Sequence, residues 1–449
     1  MGQSELRPVT GGCHNSMFNG LPLTAADSID TLLIMGLNDE YYRALDHFKA
    51  NLKWDKQMDV SVFETTIRFV GGFLTAYQMT GENFFLESVT DLVNRLLPAF
   101  NTGSGLPRST VNLVTGACSE PAWMISSAVL AEVGTLQLEF ATLSHHTRNP
   151  VYLQKVSDIY NVLRNHLPAD YLFPPFLNYA DGSTKPSTIT IGGLGDSYYE
   201  YLLKFWLLNE KKDKDIGDWY YKSAQSIIDN LALYGIPSQP YIEVENPDRK
   251  DYMYFLSERD GAGRIINRQD HLACFAGGML GLGSLYIEDE NTKQNHLRVA
   301  EGLARFCWEM YNKTATGLSP EAVPVNFNGE EIQIVTTNNV EWIMRPEAVE
   351  TWFILWRITK KQKYRDWGWY IFEAMNKHSR TDLGYSGLRN VNNVPPEKDN
   401  VQQSFFMAET MKYLFLLFTP DDVLPLDKFV FNTEAHPLLK FQADAFFEV

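Results

Sequence analysis

Apolar residues recur at spacings of three and four along most of the chain, the period of a helix with a buried face. They predict helices over 24–36, 40–51, 60–80, 83–99, 122–142, 150–165, 193–209, 213–233, 269–287, 292–313, 341–359, 361–380 and 400–418. Two kinds of segment alternate. GGFLTAY, SSAVLAEVGTL and CFAGGMLGLGS are apolar nearly all round and rich in small residues, whereas NEKKDKDIGDWYYKSAQSIIDN and KKQKYRDWGWYIFEAMNK are amphipathic and charged. Buried helices joined head to tail with half-exposed ones predict an inner ring wrapped by an outer ring. The expected fold is all-α, a toroidal α/α barrel occupying 1–449 as one domain. Of the thirteen predicted helices seven are inner and six outer, so an outer helix is expected to be missing before residue 24, where SELRPVTGGCHNSMFNGLPL reads as loop.

The connections over 101–121, 170–192, 236–268, 314–340 and 381–399 are long and rich in turn residues. Alternations such as STVNLVTG and EIQIVTTN predict short β-hairpins within them. Connections this long inside a compact domain are usually functional. They precede the inner helices and should collect on the face where those helices begin. That face also carries carboxylates: Glu64 in SVFETTIRFVGGFLTAY, Asp196 in GGLGDSYYEYLLKFW, Glu347 and Glu350 in MRPEAVETWFILW, and Glu409 in SFFMAETMKYLFLLF. A carboxylate in a helix apolar enough to be buried costs several kcal/mol unless it has a partner or a function. Several, each at the start of a separate buried helix, predict acids converging on one cavity.

Composition narrows the chemistry. A hydrophobic fraction of 45% supports a large packed core, and 22 Tyr with 10 Trp suit a sugar-binding cleft. A net charge of −16 excludes nucleic acid and anionic membrane surfaces as partners, since both need clustered Lys and Arg. The same acidity fits a cation site. No apolar run is long enough to span a membrane. MGQSELRPVT lacks the pattern of a secretory signal, so the protein is either cytosolic or trimmed at its N-terminus. Of the four cysteines, Cys274 and Cys307 fall on consecutive predicted helices, where they form either a clip between the pair or two buried thiols.

The local constellations are each open to a structural reading. Glu64 and Arg68, four apart, share a helix face, yet Phe63, Ile67, Phe69 and Val70 around them argue against a solvated ion pair. Pro346 and Glu347 suit the first turn of a helix in any protein. That does not explain why Arg345, Glu347 and Glu350 share an end with the other acids. His271 opens HLACFAGGMLGLG, where a capping role is the common one. In FNTEAHP, Thr433 and Glu434 offer oxygen ligands to a hard cation, near His436. GxSxG, Walker A, GxGxxG after a strand and HExxH are all missing. Paired acids in an aromatic cleft leave glycoside hydrolysis as the reaction class.

Longer stretches then carry a resemblance. FETTIRFVGGFLTAYQMTGE, LPAFNTGSGLP, LAEVGTLQLEFATLS, GGLGDSYYEYLLK, HLACFAGGM, RPEAVETWFILWRIT, VQQSFFMAETMKYLFLLF and VFNTEAHP, in order over the whole chain, resemble the class I α-1,2-mannosidases, glycoside hydrolase family 47. The resemblance implies an (α/α)7 barrel and a Ca2+-dependent inverting enzyme that trims α-1,2-linked mannose from high-mannose N-glycans. By position, Glu64 matches the general acid, Asp196 a second acid that donates or supports, and Glu347 the general base. Thr433 matches the calcium residue, through hydroxyl and carbonyl. Arg68, His271, Arg345, Glu350, Phe405, Glu409 and Glu434 match positions lining the sugar and ion sites. Cys274 and Cys307 match the family disulfide, which implies an oxidising secretory lumen. An inverting mechanism needs its carboxyls ~6.5–9.5 Å apart to admit water, and separate helices can hold them so.

Leu194 stands where the endoplasmic-reticulum members of the family carry Arg. Leu is the Golgi-type residue and leaves room for several branches, so trimming from nine mannoses toward five is expected. The sequon at Asn312 is expected on the end of an outer helix. The catalytic domain is expected to be a monomer that does not itself span a membrane, its anchor or signal lying outside this chain. Two readings compete: a glycan-binding, degradation-enhancing relative of the same fold without turnover, and an unrelated metal-free α/α-barrel glycosidase.

Overall fold

The computed structural model describes residues 4–15, 18, 20–124, 126–237 and 252–441, so part of the connection expected over 236–268 lies outside the described residues. The inner ring consists of Ile29–Ile34, Gly71–Thr80, Gln137–Thr147, Asp196–Leu208, Phe275–Ser284, Glu347–Thr359 and Met411–Phe418. Each packs on the next, and the last, through the turn that precedes it, closes on the first. Asn38–Asn51, Asn83–Leu96, Pro150–Asn165, Lys214–Asn230, Glu290–Asn312 and Lys363–His378 each follow an inner helix and pack on its outside. The chain therefore forms an (α/α)7 barrel, with seven inner and six outer helices among the described residues.

Sequence sets this division locally. The outer helices are amphipathic and several are capped by side chains: Asp213 accepts from Ile216 N at 3.1 Å, Asp289 from Thr292 N at 2.8 Å, and Asn149 from Val151 N at 3.2 Å. Such caps satisfy amide groups that a helix start leaves open. The inner helices at Asp196 and Glu347 have no side-chain cap and begin instead with acids. The positive ends of these helix dipoles favour negative charge there, which ties the barrel's construction to its chemistry.

Several expected helices are interrupted or begin late, among them that over 341–359, which starts at Glu347. The segment expected as 122–142 divides into a 3-10 turn (Ala122–Met124), a strand (Ser127–Val129), a short helix (Leu130–Val133) and, past Gly134, the inner helix from Gln137. The strand pairs with Phe176–Asn178, and Gly134 lies so close to Tyr198 that a Cβ would meet its Cδ2 at 2.7 Å. The helix expected over 24–36 breaks at Ser28. That expected over 269–287 begins with the strand Arg268–Asp270, which belongs to a five-stranded sheet formed by the long connections. The expected hairpins are present: Thr110–Asn112 with Cys118–Ser119, and Ala322–Asn328 with Glu331–Ile334.

A last hairpin, Phe429–Phe431 with Pro437–Leu439, packs against the inner helices Gly71–Thr80 and Asp196–Leu208. Its turn is buried in the barrel, with Asn432, Ala435 and His436 inaccessible. Asn432 organises it: its Oδ1 accepts from Glu434 N and His436 N at 2.9 and 2.8 Å, and its Nδ2 donates to Ile67 O at 2.8 Å. The Cys274 and Cys307 sulfurs are bonded, joining an inner helix start to its outer partner. No helix among the described residues is long and apolar enough to cross a membrane.

Candidate active site

The mouth of the barrel opens into a cavity of about 310 Å³. Glu64, Arg68, Leu194, Asp196, Arg345, Glu347, Phe405, Glu409, Thr433 and Glu434 all line it. His271, on Glu347, and Glu350, whose N–H donates to Pro346 O, stand one contact behind, and both disulfide cysteines are inaccessible.

On one wall Glu347 Oε2 lies 2.9 Å from His271 Nδ1, and His271 Nε2 lies 2.7 Å from Tyr311 OH. A carboxylate only accepts, so Nδ1 carries a proton and donates it to Glu347, while the Tyr311 hydroxyl, able to donate or accept, holds the other ring nitrogen. Arg345 donates through Nε to Glu321 at 2.7 Å and brings its second nitrogen to 3.9 Å from Glu347 Oε1. Glu347 is thereby oriented from two sides. Asp196 faces the same space. Burial pushes its carboxyl up to about 7, against a 2.9 Å hydrogen bond from Ser197 N, and the charges of Glu200 and Glu347 add to the rise.

On a further wall Glu64 Oε2 accepts from Arg68 Nε at 2.8 Å. Arg68 also donates to Asp27 Oδ2 at 3.1 Å and Ser404 Oγ at 3.0 Å, and pairs with Glu434. Its guanidinium lies 5.7 Å from the centre of the Phe405 ring. One buried cation thus joins the short helix Leu23–Asp27, the helix of Glu64, the segment leading into the last inner helix and the hairpin turn. Behind it His436 contacts Asp27 and Asp30 at 3.2 and 3.1 Å, and Lys412 donates to Asp30 at 2.6 Å.

At the floor, Thr433 Oγ1 donates to Glu200 Oε2 at 2.8 Å. Glu200 pairs with Lys204, which lies 3.3 Å from Glu350. Glu409 and Glu434 complete a crowd of buried acids. Burial raises all three of Glu350, Glu409 and Glu434, Glu350 to about 7, with added repulsion from Glu200 and Glu347 on Glu350, from Glu347 and Glu350 on Glu409, and from Asp27 and Glu409 on Glu434. This is an all-oxygen donor set with surplus negative charge, the environment that a hard divalent cation requires. No three His, Cys, Asp or Glu side chains among the described residues converge as a coordination shell. The residues fit an ion held directly by Thr433 oxygens, with the carboxylates supplying charge around it.

Several residues of the site escaped the sequence reading. Glu132 lines the cavity, and burial raises it to about 7, with the charge of Glu64 adding to the rise. Its signal, an acid in the apolar run LAEVG, is the one that identified Glu64. Glu200 with Lys204, four apart in an apolar helix, and Asp27 with Asp30 carried similar signals. Two π-helical turns, Thr66–Val70 and Phe406–Thr410, hold Arg68 and Glu409. Turns of this kind are frequent at functional sites. Leu194, Met344 and Ala435 take left-handed φ values of 79°, 76° and 59°, each within two residues of a cavity residue. Strain of ~1–2 kcal/mol at a non-glycine residue is held only where its surroundings impose it. Neither feature leaves a mark in residue type.

The model of the family described as Glycosyl hydrolase family 47 matches residues 1–440. Mannosyl-oligosaccharide 1,2-alpha-mannosidase MNS1 of Arabidopsis thaliana is 43% identical over 97% of this chain and 74% of its own length. Mannosyl-oligosaccharide alpha-1,2-mannosidase IA of Drosophila melanogaster is 41% identical over 99% of this chain and 65% of its own. The chain therefore spans about two thirds to three quarters of the length of these relatives. Among solved structures, the alpha-1,2-mannosidase from Trichoderma reesei superposes with a TM-score of 0.87 at 27% identity, over 98% of this chain and 95% of the other. A D-mannose isomerase, at 12% identity and a TM-score of 0.55, shares the fold alone.

Proposed function

We propose that this chain, which belongs to glycosyl hydrolase family 47, is a calcium-dependent inverting α-1,2-mannosidase acting on the termini of high-mannose N-glycans. The observation that carries the reading is the single cavity on which Glu64, Asp196, Glu347 and Thr433 converge from four separate segments. The names of the related mannosyl-oligosaccharide α-1,2-mannosidases supply the substrate class.

Glu347 is the general base, held toward the cavity by His271 and Arg345 so that its free lone pairs can take a proton from the attacking water. Asp196 is the stronger candidate for retaining a proton until it is needed, because its carboxyl is pushed up to about 7. Glu64 accepts from Arg68 Nε at 2.8 Å, which fixes the carboxylate in the cavity wall. It serves better as the carboxylate that orients the water or leaving group through which that proton passes. Glu132 beside it holds a further proton near neutrality. Phe405 and Leu194 give the cavity apolar surface for the sugar's C–H faces. A calcium ion held by Thr433 would grip sugar hydroxyls and lower the pKa of the attacking water. The Glu350, Glu409 and Glu434 carboxylates, unfavourable without it, would balance its charge.

The environment follows from the same reading. The Cys274–Cys307 bond suits an oxidising lumen of the secretory pathway. Leu194 at the cavity rim, 36% exposed, places no cation against the incoming branches. We assign the chain to Golgi-type processing from nine mannoses toward five, with the isolated domain a monomer. The test is NMR of α-1,2-mannobiose hydrolysis. An inverting enzyme releases β-mannose first, and Glu347→Gln binds the disaccharide without cleaving it. Release of α-mannose first would reject the water-attack geometry, and binding without turnover by the unsubstituted protein would favour a lectin-like role.

A further inference from the structure

The end of the barrel away from the catalytic mouth carries a second cavity, about 570 Å³ in volume, within the ~300–1,000 Å³ of small-ligand sites. It lies where the inner helix Asp196–Leu208 ends, between the outer helices Lys214–Asn230 and Glu290–Asn312. Trp206 in its wall is on the same helix as Asp196 and about 15 Å further along at 1.5 Å per residue. The two cavities share no lining residue.

Its walls are aromatic and its rim is polar. The Trp206 ring meets Tyr221 edge to face at 5.7 Å and Tyr286 at 5.8 Å, making an apolar corner. Lys211 Nζ, 4.6 Å over the Tyr286 ring, holds that ring in place. Trp206 Nε1, Tyr221 OH and His296 Nδ1 are buried and have no hydrogen-bond partner among the described residues. Other buried polar atoms are normally paired, and Nε2 of the same imidazole is, 3.2 Å from Gln225 Oε1. Three unsatisfied groups in the wall of one cavity ask for a ligand that both donates and accepts.

Charge narrows the ligand further. Lys222 lies 3.9 Å from Asp218 and offsets it. Burial holds His296 down to about 4, so it carries no charge near neutrality. Glu288 remains as an acceptor, and no surplus cation among the described lining residues would draw a phosphate or carboxylate. The ligand is uncharged, flat and apolar on one face, and hydroxylated at its edge.

We infer that this cavity is a second saccharide site, which stacks a neutral pyranose ring in the Trp206–Tyr286 corner and hydrogen-bonds its hydroxyls to Tyr221, Gln225, Glu288 and His296. The site stands on its own geometry. Its consequence, that a glycan held here raises the effective concentration of other branches at the catalytic mouth, rests on the activity proposed above.

Hydrogen exchange of the whole chain, read by mass spectrometry with methyl α-mannopyranoside as probe, tests it. The expected result is saturable protection of segments 214–230 and 286–296, separate from any protection around 193–200. Tyr286→Ala should weaken that protection about tenfold with mannobiose hydrolysis unchanged. Should Tyr286→Ala fail to fold, Gln225→Ala, on the outer helix, should weaken binding in the same way. Absence of protection at the two segments up to high probe concentration would overturn the inference. So would protection by choline in place of the sugar, or equal binding by a folded Tyr286→Ala or Gln225→Ala.

Discussion

Replacing Arg68 with Met removes a guanidinium from the midst of three carboxylates: Glu64 at 2.8 Å, Asp27 at 3.1 Å and Glu434. The three do not suffer equally. Glu64 is 22% exposed at its side chain and can turn to water, while Asp27 keeps Ser404 and His436. Glu434, 3% exposed, loses its charge partner outright. Breaking a buried ion pair by deleting one partner costs ~3–5 kcal/mol, a large part of the ~5–15 kcal/mol that stabilises a typical fold. The loss should depend on pH with a definite sign. Burial and the charges of Asp27 and Glu409 already hold Glu434 well above 4.5, against the pull of Arg68, and the substitution raises it further. A carboxyl whose pKa is higher folded than unfolded destabilises the fold as pH rises, because the folded state must then bear the charge. Urea unfolding in the presence of chelator, so that no bound cation substitutes for the guanidinium, measures this. Arg68→Met should lose ~3–5 kcal/mol at pH 8 and much less at pH 5, and Glu434→Gln added to it should recover most of the loss. An equal loss at both pH values, without recovery in the double variant, would refute the argument that Arg68 acts by neutralising Glu434.

Three more outcomes follow from the same structure. If Asp196, pushed up to about 7, supplies the leaving group's proton, kcat/KM should fall as pH rises through that value, and Asp196→Asn should lower kcat by ~10²-fold or more; a variant with near-normal kcat would assign the proton to Glu64 or Glu132. Cys307→Ala opens a loop with a sequence separation of 33 and should cost ~3–4 kcal/mol in urea unfolding by the chain-entropy model; a loss under ~1 kcal/mol would show that packing alone holds the two helices. Adding calcium to chelated protein should raise the melting temperature and more so at pH 8 than at pH 5, since Glu350, Glu409 and Glu434 must shed protons as they take up the ion's charge; Thr433→Ala should abolish that shift, while the chelated variant loses only the stability of the Thr433–Glu200 hydrogen bond.

The barrel was legible because its two rings have different solvents. Inner segments such as CFAGGMLGLGS bury every face, whereas the outer NEKKDKDIGDWYYKSAQSIIDN buries one, and that contrast survives in residue type. What escaped was the point at which an apolar run changes its backbone. SSAVLAEVGTL has the hydrophobicity of one helix, but Ser127–Val129 finds a strand partner fifty residues away in Phe176–Asn178, a long-range gain that local pattern does not register. The π turns at Thr66–Val70 and Phe406–Thr410 and the left-handed Leu194 and Met344 are likewise set by surroundings. At the site, Glu64, Asp196, Glu347 and Glu409 were conspicuous as carboxylates in apolar helices. Glu132 and Glu200 met the same criterion and were passed over. Asp27 and His436, far apart in sequence, acquire their meaning only where the hairpin turn enters the barrel beside the first inner helix. Leu194 as a determinant of branch preference rests on resemblance, and its exposed place at the rim is compatible with that role.

The central claim is calcium-dependent removal of α-1,2-linked mannose by the acids of the barrel mouth. Its most direct test is incubation of the protein with a nine-mannose N-glycan, with and without EDTA, followed over time by mass spectrometry. The account predicts stepwise loss toward five mannoses, arrested by chelator and restored by excess calcium. Trimming that ignores the chelator would contradict the role given to Thr433, and removal of a single mannose would contradict that given to Leu194. A folded protein that binds the glycan and leaves all nine mannoses in place would contradict the account as a whole.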